Sequence, residues 1–123
     1  MTEEECYKAI ETIADHYGLS HQLNKTVEEL GELLAEISRY KATIDAGKEV
    51  KPMDRKFLIG ECVDSYVMIM QLLYLIGDDA YADKTYEKKL KRQIQRINEE
   101  NYRRERLNEI SKRGQSAEVN SEK

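Results

Sequence analysis

The sequence predicts an all-α fold, a four-helix bundle-like unit that forms oligomers. Its 123 residues include one proline, six glycines and no tryptophan, a composition that suits helices better than a β-sandwich. Apolar residues recur at steps of three and four, and helix-capping residues stand at the segment boundaries. We expect one helical domain over residues 1–113 and a disordered tail over 114–123, where Gly, Ser, Asn and Glu accumulate.

The first two predicted helices meet at Gly18. Thr2 and Glu5 have the spacing of a capping box, so a short first helix begins there and ends near Gly18, which can adopt a positive φ. A second helix begins at Ser20 and ends before Gly47. Its apolar residues form one stripe that is suited to packing along a neighbouring helix: Leu23, Val27, Leu30, Leu34, Ile37 and Ile44.

The third predicted helix opens at Pro52, is apolar nearly all round and stops at Gly77. Its length approaches that of a membrane span, but Glu61 and Asp64 would be costly in lipid. We therefore expect it to lie buried at the centre of a soluble bundle. A fourth helix, rich in Lys and Arg, begins after Asp79 and can break near Asp83.

Charge and cysteine content narrow the possible functions. The formal net charge is −4 and the pI about 5.3, so binding to duplex nucleic acid is not expected. Cys6 and Cys62 lack metal-ligand spacing, and neither a zinc site nor a disulfide framework is expected. The acidic N-terminus does not resemble a secretory signal, so we expect a cytoplasmic protein with no membrane partner.

Two acids in the apolar third helix need an explanation. Glu61 and Asp64 are three residues apart, which places them about 60° from each other on one helix face. A carboxylate in a dry interior is unfavourable unless it is paired, protonated or bound to metal. The sequence leaves open salt bridges to lysines of the fourth helix, an Asp64 that reaches the surface at the rim, or a metal site.

The second helix carries a further acidic group, Glu28, Glu29, Glu32 and Glu36. Acids on a helix face are commonly only solvated, but like charges one turn apart repel, and no Lys or Arg lies between Glu28 and Ile37. If this helix neighbours the third, the acids can form an all-oxygen site. Such a site favours Mg²⁺ or Mn²⁺ over zinc.

The order of these acids resembles a family signature. Glu28-Glu29-x-x-Glu32, followed after 28 residues by Glu61-x-x-Asp64, is similar to the motif of the all-α nucleoside triphosphate pyrophosphohydrolases, the MazG-like proteins related to all-α dUTPases. Members of that family are four-helix units that form dimers or tetramers. They hydrolyse a nucleoside triphosphate to the monophosphate and pyrophosphate with Mg²⁺.

The resemblance implies that five acids are catalytic. Glu29, Glu32, Glu61 and Asp64 would hold Mg²⁺, with Mn²⁺ as a substitute, and Glu28 would be a further ligand or would orient water. The expected function is therefore hydrolysis of a ribo- or deoxyribonucleoside triphosphate by a homodimer or homotetramer. The alternative is a non-catalytic helical oligomerisation or partner-binding module whose acids form structural ion pairs.

Several basic and polar residues are further candidates. Lys89, Arg92 and Arg96 lie within an arc of about 60° on the fourth helix and could hold the β- and γ-phosphates, although a solvated basic face is the plain alternative. Gln22 and Lys25 precede the acidic group by one or two turns and resemble family positions near the substrate.

Overall fold

A computed structural model of the protein describes residues 1–121, with side chains described as far as residue 117. The described residues form three helices and no strand: α1 Glu3–Asp45, α2 Pro52–Ile76 and α3 Asp79–Ser121. The predicted all-α fold class is confirmed. The chain divides into two compact units, Met1–Asp79 with α1 and α2, and a second unit from Ala80 onward that contains the rest of α3.

Helix α1 combines the first two predicted helices and is kinked between them. The predicted capping box is present, since the Glu5 N–H donates to Thr2 Oγ1 at 3.1 Å and the Thr2 N–H donates to Glu5 Oε2 at 2.8 Å. Gly18 has φ 80° and ψ 167°, a backbone conformation open to glycine and strained for other residues. The two arms of α1, residues 3–17 and 19–45, therefore run in different directions.

The predicted ends of α2 are confirmed. Pro52 is its first residue, and Asp54 Oδ2 accepts a hydrogen bond of 2.9 Å from the Lys51 N–H just before the helix. At the other end, Gly77 has φ 84° and its N–H donates to the Leu73 carbonyl. A positive φ at this position stops the helix, because most residues with a side chain avoid it.

Helix α3 extends beyond the predicted helix end and has no break at Asp83. The sequence predicts a disordered tail from residue 114, whereas the structure continues the helix across Gly114 to Ser121; residues 122 and 123 lie outside the described part of the chain. One glycine costs a helix only about 1 kcal/mol, and no proline follows it. Tail composition alone is therefore a weak signal for a helix end.

Helices α1 and α2 pack against each other in antiparallel directions. Three hydrogen bonds join them in reverse order along the two helices: Ser65 Oγ to the Glu29 carbonyl at 3.4 Å, Gln22 Nε2 to Gln71 Oε1 at 2.6 Å, and Tyr74 Oη to Asp15 Oδ2 at 2.9 Å. We call the line of contact defined by these bonds the seam. Two of the bonds lie on the second arm of α1 and one on the first arm, so both arms are attached to α2.

The side chains buried along the two helices are few, and most are small or polar. They are Ala14, Gln22, Thr26, Glu36, Ser65, Met68 and Gln71. The predicted apolar stripe of the second arm lies about 100° around α1 from Gln22 and is exposed, with Val27 at 73% and Leu34 at 66% of full exposure. The helix thus packs on α2 through the strip between its apolar stripe and its acids.

The expectation that α2 lies buried at the centre of a bundle is wrong within the first unit. Phe57, Val63 and Tyr66 are all more than half exposed, while Ser65, Met68 and Gln71 are buried. By length and composition alone, α2 is also long and apolar enough to cross a membrane. A helix with this much uncovered apolar surface needs another apolar environment to cover it.

Replacing Gly18 with Ala tests the kink. A Cβ at Gly18 would meet no atom within 4 Å, so the substitution acts through backbone strain alone, and we expect the free energy of unfolding to fall by about 1–3 kcal/mol. The matched control is Gly31→Ala, also without a neighbour within 4 Å but in regular helix, which should be stabilising by up to about 1 kcal/mol. Urea unfolding followed by circular dichroism measures both, and equal effects would contradict the strained kink.

Candidate metal centre

Three carboxylates from two helices converge at the seam. Glu29 and Glu32 of α1 and Glu61 of α2 each offer one oxygen, and these oxygens all lie within 4.8 Å of one another. Glu29 and Glu61 are half-buried and Glu32 is exposed. Oxygens that bind one ion at about 2.0–2.6 Å lie up to about 5 Å apart, so this group, the acidic triad, has the dimensions of a divalent metal site.

The seam positions the acidic triad through one small residue. Ser65 is 2% exposed and lies one turn after Glu61 on the same face of α2. Its Oγ donates to the main-chain carbonyl of Glu29, and this bond fixes the position of α1 along α2 at the site. Sequence reasoning missed Ser65; its spacing of four from Glu61 in an otherwise apolar helix is the one signal that pointed to it.

Within the acidic triad, Glu32 is repelled by its neighbours. The Glu29 carboxylate is the largest cause of a raised pKa at Glu32, followed by burial of part of the group and by Glu61. Negative charges this close favour protonation of one member or binding of a cation. The sequence predicts repulsion among these acids, and the raised pKa of Glu32 agrees with that prediction.

One cation does reach the acids from the preceding turn. Lys25 Nζ lies 3.2 Å from Glu29 Oε1 and 3.5 Å from Glu28 Oε2, and these two acids raise the pKa of Lys25. Sequence analysis placed Lys25 near the substrate but did not anticipate its ion pair with a member of the triad. The i, i+4 spacing from Lys25 to Glu29 was the available signal.

Glu61 has an oxygen without a partner. Its Oε2 is buried and makes no hydrogen bond with any residue that the structure describes. Buried side-chain oxygens in proteins are nearly always bonded, so an orphan oxygen needs a reason. A salt bridge or a metal ion bound by the triad would each place a positive charge at that oxygen.

The other predicted acids have different surroundings. Asp64 is exposed, one turn after Glu61 on α2, and it is not a member of the acidic triad. Glu28 is exposed and paired with Lys25. Glu36 is 8% exposed and accepts a hydrogen bond of 2.6 Å from Arg39 Nη1, so its charge is already balanced.

The predicted substrate residue Gln22 is occupied by other protein groups. It is 2% exposed, its Nε2 donates to Gln71, and its Oε1 lies 2.7 Å from Nδ1 of His21. These contacts support a structural role in joining α1 to α2. A ligand could reach its amide only by displacing one of these partners.

The predicted phosphate-binding residues all lie on α3, in the second unit. Lys89, Arg92 and Arg96 are exposed. Lys89 and Arg92 line a surface groove of about 400 Å³ that Lys84 and Lys88 also line. The role of these residues at the acidic triad stays a prediction.

Comparison of the chain with protein-family models, with curated proteins and with solved structures finds no match. The resemblance to pyrophosphohydrolases therefore rests on the acidic motif of the sequence. What the structure adds to it is the proximity of three of the five acids.

A pH experiment tests the repulsion at Glu32. A carboxyl whose pKa is raised on folding contributes stability at low pH that is lost as the pH rises through the raised value. Glu32→Gln should therefore raise the Tm of the metal-free protein at about pH 7.5, and the difference from wild type should shrink toward about pH 5. Thermal melts in EDTA measure this, with the exposed loop residue variant Glu49→Gln as control; a lower Tm of Glu32→Gln at neutral pH would contradict it.

Proposed function

We propose that the protein is a Mg²⁺-dependent nucleotide pyrophosphohydrolase that converts a nucleoside triphosphate to the monophosphate and pyrophosphate in the cytoplasm. The observation that carries the proposal is the acidic triad, in which oxygens of Glu29, Glu32 and Glu61 lie within 4.8 Å of one another. Their sequence order, two glutamates of one helix motif and one of the next, supports the same assignment.

The donor set of the triad favours a hard cation. Carboxylate oxygens without histidine or thiolate suit Mg²⁺ or Mn²⁺, and Mg²⁺ takes its remaining ligands from water and substrate phosphates. The buried Oε2 of Glu61, which has no hydrogen-bond partner among the described residues, supports a bound cation at this position. We propose Asp64 as a further ligand, since it lies one turn along α2 from Glu61.

The reaction follows from the charges involved. A triphosphate is anionic and would be repelled by the acids, and the bound divalent ion would supply the charge that reverses this repulsion and activates water. We propose that Glu28, exposed beside the triad, orients the water that attacks the α-phosphorus. The bond from that phosphorus to its bridging oxygen breaks and pyrophosphate leaves, with Lys89, Arg92 and Arg96 as proposed contacts of the β- and γ-phosphates.

An activity assay tests the proposal directly. Purified protein with a panel of ribo- and deoxyribonucleoside triphosphates should release pyrophosphate with Mg²⁺ or Mn²⁺ and not with EDTA. Glu61→Gln, which removes a triad charge, should lower kcat/KM by about 100-fold or more, while Glu49→Gln should leave it unchanged. Absence of turnover on every nucleotide with either metal would favour the non-catalytic module.

We also propose that the protein works as a homodimer or homotetramer. Exposed apolar side chains extend along both helices of the first unit, among them Val27, Leu34, Phe57 and Tyr66. Monomeric soluble proteins rarely leave so continuous an apolar surface uncovered. The stripe from Leu23 to Ile44 is about 32 Å long, enough to pack along a helix of a second copy.

Light scattering tests this association. At micromolar concentration the wild type should have at least twice the 14.4 kDa mass of one chain. Leu34→Glu, in the middle of the exposed stripe, should shift the mass to that of one chain, because a charge in the interface is desolvated without a partner. The control is Ala42→Glu on the same arm, which is exposed and lies about 80° around the helix from Leu34. A monomeric wild type with full activity would contradict the proposal.

A further inference from the structure

Lys25 contacts the acidic triad from the rim of the site. Its Nζ lies 3.2 Å from Glu29 Oε1, and the Glu29 side chain is 14% exposed against 41% for Lys25. The same ammonium lies 3.5 Å from Glu28 Oε2, outside the triad. Lys25 is thus a cation already present at the edge of the candidate metal centre.

We infer that Lys25 is a counter-ion that competes with the divalent metal for Glu29. Once the metal is bound, the Lys25 ammonium leaves Glu29 and contacts the phosphates of the substrate instead; we call this change of partner the transfer. The inference rests on the proposed function and gives Lys25 a positioning role. In the metal-free protein Lys25 partly neutralises Glu29. In the loaded protein it would hold the polyphosphate against the metal.

Lys25 and a divalent ion would compete because both are attracted to the same carboxylates. Lys25 brings a single positive charge to a site with Glu28, Glu29, Glu32 and Glu61, and the orphan oxygen of Glu61 shows that it does not satisfy the whole group. A divalent ion bound to Glu29 would repel the ammonium at short range. The lysine side chain has a flexible four-carbon stem, so the ammonium can leave Glu29 without any movement of α1.

The transfer to phosphate follows from how Mg²⁺ binds. A protein-bound Mg²⁺ usually has one or two carboxylate ligands and takes phosphate oxygens of the substrate as others. Those phosphates would share the metal ion with Glu29. An ammonium that already contacts Glu29 could therefore reach them. Phosphate oxygens then become the strongest anionic partner available to Lys25.

The chain provides a matched control pair. Lys41 and Asp45 form the same i, i+4 ion pair on the same arm of α1, and both side chains are well exposed. No described triad member takes part in that pair. Lys41→Met removes an equivalent surface ion pair without touching the site.

The test measures two affinities of Lys25→Met by isothermal titration calorimetry, first for Mn²⁺ alone and then for inorganic triphosphate in excess Mn²⁺. Without the competing charge, Mn²⁺ should bind more tightly, by about three- to tenfold. Loss of a charge-assisted bond to phosphate should weaken triphosphate binding by about tenfold or more. Lys25→Arg should stay close to wild type in both, and Lys41→Met should match wild type.

The opposite signs separate a positioning role from a structural one. If both affinities fall, Lys25 only supports the fold of the site, and if neither changes, it takes no part; each result overturns the inference while the wild type still binds metal and triphosphate. Tighter Mn²⁺ with unchanged triphosphate overturns the transfer. A wild type that binds neither Mn²⁺ nor triphosphate overturns the proposed function itself, and with it the inference.

Discussion

Close packing of α1 and α2 through small and polar side chains is the constraint on which the candidate site depends. Carboxylates on two helices can share one ion only if the helix backbones approach closely, and Ser65 at 2% exposure permits this beside Glu29. Bulky apolar residues at the same position would separate the helices. The seam therefore buries little apolar surface where the acids meet. Toward the kink, the helices also pack through polar side chains, since Gln22 bonds to Gln71.

The cost of this arrangement is visible on the outer faces of the helices. A seam with Ala14 and Met68 as its buried apolar residues contributes little hydrophobic stabilisation for a unit of two long helices. The apolar residues that would normally form the core face outward. Stability of the first unit therefore depends on what covers those faces.

Much of the fold was predictable because its signals are local. The capping box at Thr2, the turn at Gly18 and the ends of α2 follow from backbone preferences of the residues at those positions. The face by which α1 packs was not predictable in this way, since hydrophobic periodicity points to Val27 and Leu34 and the contact is made beside them. Periodicity identifies which side chains avoid water, but not which partner covers them.

For the site, the repeated acids predicted that Glu29, Glu32 and Glu61 would cluster if their two helices are neighbours, and the structure brings these three together. The parts that needed the structure are single contacts between distant residues. Neither the orphan oxygen of Glu61 nor the bond from Ser65 to the Glu29 carbonyl has a periodic signature.

The kink at Gly18 also allows the two arms of α1 to unfold separately. The first arm of α1 is attached to α2 by the buried Ala14 and by the bond from Tyr74 to Asp15, whereas the second arm has its own bonds through Gln22 and Glu29. Because the backbone departs from helical geometry at Gly18 between the arms, the first can detach as a separate cooperative unit. Amide hydrogens of residues 3–17 then exchange with solvent through this partial unfolding, while the amides around the acidic triad stay protected until the whole unit unfolds.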